Sequence, residues 1–226
     1  MADKLQRELS NRHIQLIAIG GAIGTGLFLG AGASIHLAGP SILLTYIIVG
    51  FILFMFMRAM GELLLSNLGF KSFGDIAHHH IGSMAGFMVG WTYWLTWIIS
   101  GMAEVTAVAK YVDFWYPDMP NWITAAATIL VLVALNLFSA KLFGELEFWL
   151  SIIKVITILA LIIVGIVMVI FAMKTDYGPA TVTNIWKEGG FFPNGASGFF
   201  MSFQMALFSF VGIEMIGVTA GETKDP

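Results

Sequence analysis

Three ionisable residues stand inside long apolar stretches of the chain: Glu104, Lys154 and Glu214. An ionisable group at such a place is expensive, and it marks a functional site by default. Burial pushes a lysine pKa down and a carboxylic acid pKa up, toward values at which a proton can come and go. The same stretches carry two glycine interruptions. Gly20 to Gly30 reads Gly-Gly-Ala-Ile-Gly-Thr-Gly-Leu-Phe-Leu-Gly, with five glycines in eleven residues. Phe208-Ser209-Phe210-Val211-Gly212-Ile213-Glu214 is the second. Each interior glycine costs a helix about 1 kcal/mol relative to alanine. A backbone that loosens in hydrocarbon must have its N–H and C=O groups satisfied by protein, water or ligand. A break at Ile23–Gly26 would start a new helix whose free N–H groups favour an anion such as a carboxylate. The alternative is close helix packing, since Gly20/Gly24 and Gly26/Gly30 both have the GxxxG spacing. A dinucleotide loop is excluded, because no strand precedes these glycines.

The elements that would hold these residues are membrane spans. The chain has 226 residues, 58% hydrophobic and 11% charged, with a mean hydropathy of +0.86. Soluble domains are about 25% charged. The composition is that of an all-α integral membrane protein. Six spans are predicted, at about 14–37, 41–65, 82–112, 121–140, 148–173 and 196–220. Ser10 or Asn11 can cap the first. The apolar run from residue 14 is too long for a signal peptide core and reads as an anchor that stays. The domain order is a 1–13 N-terminus, a 14–173 five-helix unit, a 174–195 polar loop, a discontinuous sixth helix over 196–220, and a 221–226 end.

Between the spans, Arg58 and Glu62 face each other four residues apart near an interface, as a structural anchor. The connector 66–81 holds His78, His79 and His80; adjacent residues diverge and no partner has ligand spacing, so it reads as a solvated loop and not a metal site. Gly82, Gly86 and Gly90 form a small-residue face. Phe114 to Pro117 is an aromatic belt, and 141–147 a short polar turn. With the N-terminus inside, Lys4, Arg7, Arg12, Arg58, Lys71, Lys141 and Lys224 are cytoplasmic. Lys110, Lys174 and Lys187 fall outside, which favours that orientation.

Cysteine is absent, which removes thiol chemistry and disulfides. No Ser-His-Asp pattern, HExxH motif or nucleophile elbow occurs, so an enzyme is not indicated. Interrupted helices with ionisable groups at mid-membrane are the pattern of a secondary transporter. A Glu104–Lys154 pair that only holds helices together is the structural alternative. A channel is weaker, for want of a filter sequence.

The residues also carry a family signature. Asn11-Arg12-His13-Ile14-Gln15-Leu16-Ile17-Ala18 leading into Gly20–Gly30, Ala38-Gly39-Pro40 through Gly61-Glu62, Gly101-Met102-Ala103-Glu104, Phe143-Gly144-Glu145 through Lys154, and Phe210 to Glu214 occur in order. The chain resembles the amino-acid permeases of the amino acid–polyamine–organocation superfamily, in its bacterial amino-acid transporter branch. Arg58 to Asn67 and Gly90-Trp91-Thr92-Tyr93-Trp94 are most similar to carriers of D-serine, D-alanine and glycine, with aromatic permeases next. The resemblance implies a fold of two inverted five-helix repeats with helices 1 and 6 broken at the site. This chain would hold the first repeat plus helix 6, and a chain supplying helices 7–12 would be its partner; a fragment that does not transport alone is the alternative.

By the same resemblance, Ile23, Gly24, Thr25 and Gly26 would offer N–H groups to a substrate carboxylate. The carbonyls of Phe208 and Val211 would accept from its ammonium, with the Phe208 ring as a gate. Glu104 would border the side-chain pocket. Lys154 would replace a sodium ion and couple transport to protons, with Glu104 and Glu214 as further proton-coupling candidates. The implied activity is proton symport of a small neutral amino acid across the cell membrane. The proton is the coupling ion; no other cofactor, metal or nucleic-acid partner is implied.

Overall fold

A computed structural model describes residues 19–67, 69–70, 72–137, 140–187 and 189–215, and of 140–144 the backbone alone. The 1–13 segment with its caps and basic residues, the motif at Asn11–Ala18, Lys71, the side chains of Lys141 and Phe143, the last residues of the sixth span and the 221–226 end lie outside the described residues. The chain divides into two units, Ile19–Met55 with Trp149–Ile213, and Phe56–Phe148 with the stretch from Glu214.

In the first unit, residues 19–22 are helical and bends follow at Ile23 and Gly24. Helix resumes as α1 (Thr25–Phe28) and α2 (Gly30–Ala38). Leu29 between them stays in the right-handed conformation, so the run from Thr25 to Ala38 continues in one direction. A 3-10 turn at Gly39–Ser41, with Pro40 near its start, leads into α3 (Ile42–Ser66), whose part up to Met55 belongs here. From Trp149 the unit takes in α7 (Ala140–Ile170), a two-stranded antiparallel hairpin (β1, Lys174–Thr175; β2, Gly178–Pro179), the single turn α8 (Asn184–Lys187) and α9 (Gly195–Ser209).

Two contacts set α2 and α9 antiparallel. Gly30 lies against Met205, and the Leu37 carbonyl lies where a β-carbon on Gly198 would sit. At the end of α2 the Asn194 side-chain amide donates to the carbonyls of His36 at 2.9 Å and Leu37 at 3.0 Å. These are carbonyls that a helix C-terminus leaves without an intrahelical partner.

In the second unit, α4 (Phe73–His80) packs against α5 (Ser83–Trp115), which also packs against α6 (Asn121–Asn136). The connector expected to be a loop is thus partly helical. Ser72 caps α4 by accepting from the Asp75 N–H at 3.1 Å, and Asp75 sits in the first turn, where an acidic side chain suits the dipole. The three histidines form its last turn, exposed to solvent. Gly74 and Gly86 let α4 and α5 meet at backbone distance: a β-carbon on Gly86 would lie 2.9 Å from the Gly74 carbonyl oxygen. The polar turn expected at 141–147 is the start of α7 instead. Leu, Glu and Lys there are good helix formers and no proline interrupts them. The 174–195 loop contains the hairpin and α8. Arg58 and Glu62 pair as expected, at 3.5 Å and well exposed.

Large apolar side chains face outward while small ones fill the interior. Ile156, Leu159, Ile163 and Phe51 are all more than half exposed, whereas Ser34, Thr45, Ser41, Ser202 and Ala206 are fully buried. This is how membrane helices pack, with small residues at the contacts and large apolar ones against lipid. Polar side chains on outward faces bond back to their own helix, as Thr96 does to Thr92, Thr128 to Thr124 and Thr157 to Ile153, each at 2.8 Å. Among the described residues two helical runs, Gly30–Ser66 and Glu145–Ile170, are long and apolar enough to cross a membrane.

Candidate functional site

The two glycine interruptions come together within one unit. A β-carbon on Gly26 would lie 2.7 Å from Ser209 Cα and 2.9 Å from the Phe208 carbonyl oxygen. One on Gly212 would lie 2.6 Å from the Gly21 carbonyl oxygen. Only glycine permits either approach. Gly212 also has φ +105°, a conformation that side chains rarely adopt.

At the first break Ile23 still donates back to Ile19 at 3.2 Å and Gly20 at 3.3 Å. Beyond it, Leu27 and Phe28 both donate to the Gly24 carbonyl, at 3.2 and 3.1 Å. Leu27 is therefore the first residue bonded back into the new helix. Gly24 at its cap has no side-chain oxygen to cover the amides that precede. The N–H groups of Gly24, Thr25 and Gly26 are those a helix start directs away from its own body. Ile23, Thr25 and Gly26 are buried.

At the second break α9 ends on Ser209 and residues 210–214 form turns. Phe210 donates to the Leu207 carbonyl at 3.1 Å and Val211 to the Phe208 carbonyl at 3.2 Å. The Phe208 oxygen keeps a second lone pair. Phe208 and Val211 are half-buried.

Lys154, on α7, donates from Nζ to the Gly20 carbonyl at 2.9 Å. That carbonyl belongs to the last turn before the first break, where a helix end is partly negative and favours a cation. Ser151, one turn earlier on α7 and buried, lies against Gly20 as well. Ile23, Gly24, Thr25, Gly26, Phe208, Val211 and Lys154 thus fall in the first unit. Glu104 and Glu214 fall in the second, Glu104 exposed on α5 within electrostatic reach of Tyr111, and Glu214 half-buried within reach of Tyr93. Among the described residues no group of three or more His, Cys, Asp or Glu could hold a metal ion.

Sequence reasoning passed over Tyr46, Thr45 and Ser202. Tyr46 and Ser209 share a hydrogen bond of 2.9 Å, and Thr45 and Ser202 one of 2.8 Å. Single hydroxyls in apolar runs give no periodic signal; the i, i+7 spacing of Ser202 and Ser209 on α9 is the one hint.

Residues 13–226 match the amino acid permease family. The chain belongs to that family. It is 56% identical over 223 residues to a D-serine/D-alanine/glycine transporter of Escherichia coli, covering 98% of this chain and 47% of that protein. It is 57% identical over 222 residues to the uncharacterized transporter YdgF of Bacillus subtilis, covering 98% and 48%. The aromatic amino acid transport protein AroP of E. coli is 49% identical over 225 residues, covering 99% and 49%. The chain therefore spans about half the length of the curated relatives it matches. No solved structure matches it. Family membership makes it a multi-pass membrane protein of the cell membrane.

The junction is steric, so it can be tested by adding one methyl group. Gly26→Ala should destabilise the protein by about 1–3 kcal/mol, the usual cost of overpacking, lowering its melting temperature in detergent. Gly32→Ala, on the same helical run but with open space around it, should leave the melting temperature unchanged or raise it. Equal effects at the two positions would contradict the junction.

Proposed function

We propose that this chain forms the first repeat and the sixth helix of a proton-coupled permease for small neutral amino acids of the glycine, D-alanine and D-serine type. What carries the reading is the meeting of the two helix breaks, with Lys154 bound to the last turn before the first of them. A zwitterionic amino acid needs donors for its carboxylate and acceptors for its ammonium at one place. The N–H groups of Gly24, Thr25 and Gly26 supply the first, the Ile23 N–H being engaged by Ile19 and Gly20, and the carbonyls of Phe208 and Val211 supply the second. The close approach of Gly26 to the Phe208 oxygen brings these donors and acceptors to one place. Phe208 closes over the substrate.

Six spans, an inner N-terminus and the inverted five-plus-five fold complete the proposal, with the second repeat supplied by the rest of the protein or by a second chain. The D-serine/D-alanine/glycine carriers among the relatives support the substrate class, and the aromatic permease is more distant. Proton coupling runs through Lys154. A charged ammonium holds the Gly20 carbonyl and a neutral amine holds it less firmly, so protonation shifts the position of the first helix half relative to α7. Glu104 and Glu214 are further carriers of the coupled proton.

In proteoliposomes bearing the full gene product, an acid-outside gradient should drive accumulation of glycine and D-alanine. Lys154→Ala should abolish that accumulation while leaving exchange of internal for external substrate. Undiminished pH-driven uptake by the variant would contradict the coupling role, and no amino-acid uptake by the parent protein would contradict the function.

Orientation has its own test. Asp75 and Tyr177 are both exposed, so single cysteines placed there should react with an impermeant thiol reagent wherever it can reach. In intact cells Tyr177→Cys should label and Asp75→Cys should not. The reverse pattern would invert the topology.

A further inference from the structure

We propose that Tyr46 is a positioning residue for the second helix break, and that its hydroxyl holds the substrate-facing carbonyls in register from outside the site. The inference rests on the proposed function for what those carbonyls do.

The geometry is a short relay. Ser209, the last residue of α9, donates its hydroxyl proton to the Met205 carbonyl at 2.9 Å. A serine has one proton to give, so in the 2.9 Å contact between Tyr46 and Ser209 it is the phenol that donates. Ser209 is at once the end of the regular helix, the neighbour of Phe208 and the residue against which Gly26 is packed. Its backbone therefore fixes where the Phe208 carbonyl lies relative to the first break. The Tyr46 ring also meets the Phe210 ring, with centroids 5.9 Å apart. Gly50, one turn further along α3, lies beside the tip of Phe210, which would be in ordinary contact with a β-carbon there at 3.7 Å.

A second tie shows what is special about the first. Thr45 and Ser202 bond at 2.8 Å, and Ser202 donates on to the Phe199 carbonyl at 2.7 Å. The chemistry is the same, but Ser202 lies two turns inside α9, where the helix holds its own shape. At Ser209 the helical ladder stops, and Val211 and Ile213 are held by turn bonds of 3.2 and 3.3 Å. A hydroxyl from α3 at that point controls geometry that the ladder does not.

Tyr46→Phe removes the hydrogen bond and keeps the ring contact, so the variant should fold. In the full gene product, the apparent KM for glycine should rise between about twofold and tenfold, the range that the net worth of one hydrogen bond gives. Vmax should stay within about twofold. Ser209→Ala should give a similar shift, and the double variant no more than the larger single one. Thr45→Val, which cuts the other tie and the 3.5 Å bond from Thr45 to the Ser41 carbonyl but leaves Ser209 alone, should leave KM unchanged. Hydrogen exchange of the purified protein in nanodiscs gives a readout without transport: amides of Phe210–Ile213 should exchange faster in Tyr46→Phe than in the parent, and not in Thr45→Val. An unchanged KM, additive single effects, or equal shifts from Thr45→Val would overturn the proposal. A parent protein without uptake would overturn the proposed function, and the exchange comparison would then decide the role of Tyr46.

Discussion

The structure depends on one constraint: within a bilayer, every backbone N–H and C=O must find a partner in the protein or its ligand. A continuous helix meets it automatically. This chain breaks helices at Ile23–Gly24 and again after Ser209, and it brings the two breaks together so that each faces the other's exposed backbone. Gly26 against Ser209 and Gly212 against Gly21 are the contacts that make this possible. Lys154 on the Gly20 carbonyl completes the arrangement from a third helix. A pair of interrupted helices so arranged is costly as a mere scaffold and well suited to an ion or zwitterion that brings its own hydrogen-bonding groups.

The packing around the junction follows from the same solvent. Lipid offers no hydrophobic reason for large side chains to be buried, so the interior goes to residues that let backbones approach. Serine and threonine serve both needs there, being small and able to bond across helices. The Thr45–Ser202 and Tyr46–Ser209 ties are of this kind, and Asn194 does similar work at the end of α2.

Much of this was legible in the chain itself. Clustered glycines at 20–30 and the Gly212 interruption announced both breaks, because glycine in an apolar helix has a cost that only geometry repays. Lys154 stood out because a lone cation in hydrocarbon needs a partner. That its partner is a backbone carbonyl was not legible, since a carbonyl leaves no trace in residue identity. The helix in the 73–80 connector was hidden by its polarity, although the Ser72 cap and Asp75 were there to be read. The start of α7 is hidden because charged residues at 141–147 resemble a loop more than they resemble the end of a long helix. Tyr46 was missed for a different reason: its importance depends on which helix lies opposite, and that is a property of the fold.

Recognition of a carboxylate by the amides at the first break, as proposed, is directly readable. In the protein labelled with nitrogen-15 at glycine and threonine, resonances of Gly24, Thr25 and Gly26 should shift on addition of glycine. Methylamine, which presents the ammonium without the carboxylate, should leave them in place. Equal shifts with both compounds, or shifts with glycine elsewhere but not at these three amides, would contradict carboxylate recognition at this break.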